Sequence, residues 1–263
     1  VAMTSMPEMV ALFNGFGGGA SGLVAAAVVW QELVAKDVSG AASLHLGGGS
    51  ADAVTISISV IIGALTMSGS LIALLKLQGK IKNGAPVLLP GRHAINIGLG
   101  LALLGLSIWF GWFTTGGAQH AQAVIGLTLV SLLLGVLLVI PIGGADMPVV
   151  VSLLNSYSGL AACAAGFVIG NTVLIIAGSM VGAAGLILTQ IMCVAMNRSL
   201  LNVLVGGFGV EDGGGSNEDA RNYTRVTSCG AEEAAMVLET AERVVFVPGY
   251  GLAVAQAQHA VRE

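Results

Sequence analysis

Ile142-Gly-Gly-Ala-Asp-Met-Pro-Val-Val-Val-Ser-Leu-Leu-Asn-Ser-Tyr-Ser-Gly159 sets an acid and a proline at the head of an otherwise apolar run. Asp146 is placed to cap a helix. Pro148 fits its first turn, where the N–H that proline lacks has no partner in any case. Ser152, Asn155, Ser156 and Gly159 follow at helical spacing and are expected on one face. Such a stripe is costly against lipid, so it is expected to face protein or water.

Lipid is the relevant solvent because of the composition around this stretch. Hydrophobic residues make up 55% of the chain and charged residues 9%, against about a quarter charged in soluble domains. The mean hydropathy is +0.90. Several uncharged runs reach the ~20 residues that a helix needs to cross a bilayer. The expected fold is an all-α polytopic membrane bundle of about six transmembrane helices, followed by the start of an α/β Rossmann-like domain. The spans run Met9–Trp30, Ala53–Leu77, Ala94–Phe113, Gln119–Ile140, Pro148–Ile169 and Thr172–Met196. A net charge of −4 argues against a nucleic-acid partner. Cys163, Cys193 and Cys229 lack metal-ligand spacing, and no metal site is expected.

The connections set the orientation. Lys76, Lys80, Lys82 and Arg92 gather around the second one, while the first and third carry little or no net positive charge. The positive-inside rule then makes this loop, both chain ends and the Gly143–Asp146 turn cytoplasmic. Charge returns after Arg198. Residues 1–198 read as the transmembrane domain and 199–229 as a flexible glycine-rich linker; 230–263 read as the beginning of a nucleotide-binding domain. In that last part Glu232–Thr240 is amphipathic, Arg243–Pro248 reads as a buried strand, and Leu252–Val261 reads as a helix. The chain opens just before an apolar run with no charged leader, and it stops within a helical pattern. Both ends are expected to be cuts through a longer protein.

The opening stretch has a partner. Ser5-Met-Pro-Glu-Met-Val-Ala-Leu-Phe-Asn14-Gly-Phe-Gly-Gly18 repeats its plan: a capping residue, Met-Pro, an Asn nine positions after the cap, then small and aromatic residues. At 1.5 Å per residue each Asn lies about 13–14 Å inside the membrane, near its middle. Asn14, Gly17, Gly18, Ser21 and Gly22 are expected on one face. Polar sites in transporters often lie where such repeats meet; alternatively, small residues and Asn simply hold helices together. Asn orders water but does not titrate near neutrality. The middles of the spans hold no Asp, Glu or Arg, and His45, His93 and His120 are expected on solvated surface near loops. Gly249-Tyr-Gly251 stands between strand and helix. It reads either as a pyrophosphate-binding turn or as an ordinary βα turn, with Val254 in place of the usual third Gly or Ala.

With these residues in view the chain resembles the proton-translocating nicotinamide nucleotide transhydrogenase family, its beta subunit in particular. The runs that carry the resemblance are Met6-Pro-Glu-Met-Val10, Gly69-Ser-Leu-Ile72, Lys76-Leu-Gln-Gly79, Leu89-Pro-Gly-Arg-His93 and Ile142–Val150. Leu154–Gly159, Ala195–Ser199, Gly206-Gly-Phe-Gly209 and Pro248–Gln258 follow in family order. The resemblance implies hydride exchange between NADH and NADP⁺, coupled to proton movement across the bacterial inner membrane. It further implies NADP(H) in a C-terminal cytoplasmic domain, NAD(H) on an alpha-subunit partner, and a homo-dimeric complex. Carried over, Asp146 matches the acid at the cytoplasmic end of the proton path, and Asn155 matches an intramembrane Asn. Ser152 and Ser156 line the same stripe. Gly249, Tyr250 and Gly251, with Leu252, Ala253 and Val254, match the turn against the NADP pyrophosphate. Asn14 stands where some members carry a histidine, so no titrating group is supplied at that level. No catalytic residue is assigned, and the chain by itself is expected to be inactive. Apart from the resemblance, a secondary transporter with a regulatory nucleotide domain fits the repeat, and a purely structural membrane anchor fits the composition.

Overall fold

The computed structural model describes residues 5–39, 51–81, 84, 86–87, 89–114, 117–196 and 199–205, and beyond these 235–236, 238–241, 243–245, 247 and 261. The chain divides into two compact units, Met6–Gly209 and Val1–Ser5 with Val210–Glu263. The first unit holds helices α1 (Met6–Ser39), α2 (Ala51–Leu77), α3 (Arg92–Ile108), α4 (Gly117–Val139), α5 (Met147–Ile169), α6 (Thr172–Ala195) and the short α7 (Leu200–Val205). Six of them are long and apolar enough to cross a membrane. Apart from α1, which runs nine residues past Trp30 to Ser39, their limits fall within a few residues of the expected spans, since a run without charge satisfies its backbone in lipid as a helix.

The helix breaks follow local chemistry. Gly91 and Gly170, both at positive φ, stand at the start of α3 and the end of α5. Asn171 caps α6, its side-chain oxygen accepting from Leu174 N–H at 3.1 Å. At the other end of α3 the chain widens into a π-helical turn, Trp109–Phe113, which turns Phe110 and Gly111 inward. Helix α2 is the hub, packing on α1, α4 and α5, while α6 rests mainly on α5. Helices α3 and α6 are the least enclosed spans and α5 the most. Two apolar clusters fill the interior. One lies around Ile56, Phe110 and Leu127, and the other around Val139, Met147 and Val150. Val203 of α7, within the stretch read as linker, is buried in the second cluster.

In the second unit, residues 235–236 and 238–239 are helical, as the amphipathic pattern suggests. The strand expected at Arg243–Pro248 is not formed among the described residues there. A strand needs a neighbour to receive its N–H and C=O groups, and the described residues contain no second one. The fold shown is therefore all-helical. The turn at Gly249–Val254 and His45 lie outside the described residues.

Candidate functional site

The α4–α5 corner holds buried charge. Gly144–Asp146 forms a single 3₁₀ turn leading directly into α5. Asp146 is buried, with 6% of its surface exposed. It does not cap the helix as expected, because its backbone is already helical (φ −90°, ψ −4°) and its side chain makes no capping bond. An N-cap needs extended backbone for the side chain to loop back onto the first free amides. Lys76, 2% exposed, reaches into the same corner from the end of α2. Its Nζ donates to Ile140 O and Ile142 O, each at 2.6 Å. Both Lys76 and Asp146 are engaged in further interactions there. Sequence reading took Lys76 only as one of the loop charges. Its position inside an apolar helix, a turn before the exposed Lys80, was the available signal.

Nine residues inward, α1 and α5 are joined side to side. Asn14 Nδ2 donates to Val151 O at 3.1 Å, and Ser158 Oγ donates to Asn14 O at 2.9 Å. Further along, Ser59 Oγ of α2 lies 3.1 Å from both Ser21 O and Ala161 O. The two helices therefore run parallel, and Asn14 and Asn155 occupy the same level. Asn14 is buried; Asn155 is half-buried, and its amide has no hydrogen bond among the described residues.

The stripe read as one face turns toward one neighbour: Ser152, Ser156 and Gly159 all lie against α6. Ser156 Oγ donates to Gly182 O of α6 at 2.6 Å, and Ser152 Oγ to Gly185 O at 3.3 Å. Thr189 Oγ1, bonded to Gly185 O, lies 3.1 Å from Ser152 Oγ. Val151 and Ser158, which lie outside that stripe, face α1. Ser152 and Ser156 donate their protons to α6 backbone. Gly17, by contrast, leaves the face assigned to it and is exposed.

The repeat is reproduced in the packing. A Cβ on Gly63 of α2 would meet Gly18 O at 2.6 Å and Gly22 N at 2.8 Å, while a Cβ on Gly178 of α6 would meet Gly159 O at 2.7 Å and Cys163 N at 2.5 Å. Gly15 faces Ser70 as Ser156 faces Gly185. The pairs α1–α2 and α5–α6 therefore cross in the same way, in the register that aligns Asn14 with Asn155.

At the opposite end from Asp146, one expectation is overturned. His120, in the first turn of α4, is buried with 4% exposed. The inward π-turn places Phe110 against it edge-on, with ring centroids 5.7 Å apart. His93 is exposed, as expected. No cluster of His, Cys, Asp or Glu suited to a metal occurs among the described residues.

Over residues 1–263 the chain matches the family described as NAD(P) transhydrogenase beta subunit. Two curated relatives from Rhodospirillum rubrum, one from a designated strain, are both described as "NAD(P) transhydrogenase subunit beta". Each is 46% identical over 263 residues, which is 100% of this chain and 54% of the relative. The chain spans about half the length of the curated relatives it matches.

Proposed function

The chain belongs to the NAD(P) transhydrogenase beta subunit family, and on that premise we propose that it is the membrane subunit coupling hydride exchange between NADH and NADP⁺ to proton movement. The observation that carries this reading is the buried Asp146–Lys76 corner, one helical segment away from the Asn14 link between parallel repeats. In lipid, charge and amide groups enclosed in an apolar bundle mark ion pathways. Asp146 serves as the group through which a proton biases the α4–α5 corner between two arrangements, each favoured by a different protonation state.

The remaining parts follow the family. Residues 1–198 form the proton-translocating domain, 199–229 the cytoplasmic linker and 230–263 the start of an NADP(H)-binding Rossmann-like domain. Gly249, Tyr250 and Gly251, with Leu252, Ala253 and Val254, receive the pyrophosphate on backbone N–H groups at a helix start. NAD(H) is held by the alpha subunit, and the complex is homo-dimeric in the bacterial inner membrane, with the C-terminal domain cytoplasmic. The lysines and Arg92 on the Asp146 side support that orientation.

The test is Asp146→Asn in the intact complex, reconstituted in vesicles and assayed for hydride transfer and pH-gradient formation. Protons moved per hydride should fall at least tenfold. Unchanged coupling removes Asp146 from the path.

A further inference from the structure

We propose that His120 is the proton-exchanging group at the membrane face opposite Asp146. The inference deepens the proton-coupling reading and rests on it.

His120 is buried, and neither ring nitrogen has a hydrogen-bond partner among the described residues. A buried polar atom without a partner calls for an explanation, such as a catalytic role or a bridging water. The ring sits beside a π-helical turn, a distortion found often at functional sites. This turn brings in Phe110, and the hydroxyl of the buried Thr114 donates to Phe110 O at 2.5 Å.

The other buried hydroxyls without partners among the described residues are Thr66, Ser70 and Ser131. Ser131 shares the inward face of α4 with His120, Val124 and Leu127, all buried. Thr66 and Ser70 of the hub helix lie opposite Gly18 and Gly15, which follow Asn14 on α1. A hydroxyl both donates and accepts, so it passes a proton along but does not hold one. An imidazole does hold one near neutral pH. His120 and Asp146 are thus buried ionisable side chains at opposite ends of the membrane unit.

The charged groups that neighbouring elements carry at this end are Asp52, exposed in the first turn of α2, and Glu32, Lys36 and Asp37 in the last turns of α1. Helix α3 and its π-turn carry none there.

The experiment uses the full complex in vesicles, with the far-side pH varied. The wild-type rate should depend on that pH. His120→Gln should lose this dependence and move at least tenfold fewer protons per hydride. His120→Leu, which keeps an apolar filling, should fail equally. If either variant keeps normal coupling and pH dependence, the assignment is overturned. Should both fail to assemble, NMR of ring-labelled wild-type protein decides: a His120 ring that takes up no proton between about pH 5 and 9 also overturns it. If His120→Gln stays coupled while Asp146→Asn does not, only this inference falls. Wild-type hydride transfer without proton movement removes the parent reading instead.

Discussion

Lys76 donates to two carbonyls at the end of α4, where helical geometry leaves the last C=O groups without intrahelical partners. These carbonyls take the place of water around its ammonium group. Lys76→Met should therefore cost about 2–3 kcal/mol, the worth of a hydrogen-bonded charge together with the carbonyls left behind. Unfolding of the purified protein in detergent measures this, and Lys76→Arg should recover part of the loss. Equal stability of wild type and the Met variant would show the corner to be held by other contacts. The sequence displayed every residue of this corner but not the pairing. Hydropathy counts Lys76 as one charge near a loop. Only the fold shows it turned inward, because direction depends on where α4 ends in space. His120 failed to be legible for the same reason: proximity to a loop says nothing about a π-turn folding an aromatic ring over it.

The helix pairs respond to glycine substitution in opposite ways. At Gly63 and Gly178 a methyl group would run into backbone atoms of the crossing helix at 2.5–2.8 Å. Backbone cannot move aside without separating the pair, so Gly63→Ala and Gly178→Ala should destabilise the membrane unit by several kcal/mol, of the order seen for overpacked cores. Gly17 has nothing within 4 Å of the added atom. Gly17→Ala should be tolerated and gain about 0.5–1 kcal/mol from helix propensity. Thermal unfolding of the three variants in one detergent separates them; similar behaviour at Gly17 and Gly63 would contradict the observed crossing. At this scale the repeat was legible in the sequence as matched Asn and Gly positions. Which glycines touch was not legible, because Gly17 and Gly18 are adjacent in sequence and a 100° turn apart around the helix.

Across the whole membrane unit, most of the positive charge and the tryptophans lie at opposite ends. Lys76, Lys80 and Arg92 lie toward the Asp146 face, whereas Trp30, Trp109 and Trp112 all lie at the other end of their helices. Trp30 and Trp112 are exposed and Trp109 is half-buried. Tryptophan favours the lipid–water boundary, where an apolar ring and an N–H are both satisfied. In vesicles of lipids brominated near the headgroup, Trp30→Phe and Trp112→Phe should each remove more quenchable fluorescence than Trp109→Phe. Deep-chain bromine should quench them less. The reverse order would place these helix ends away from the boundary. The number of spans, their limits and their alternating direction were determined by sequence alone, since lipid offers an uncharged run of this length no other way to satisfy its backbone. Tertiary structure alone decided what faces inward: that Asp146 is enclosed beside Lys76 rather than capping α5, that Ser152 and Ser156 serve α6, and that His120 is buried. The reason is physical. Hydropathy registers the cost of leaving water, whereas the partner that offsets this cost comes from another helix, at a distance along the chain that no local pattern records.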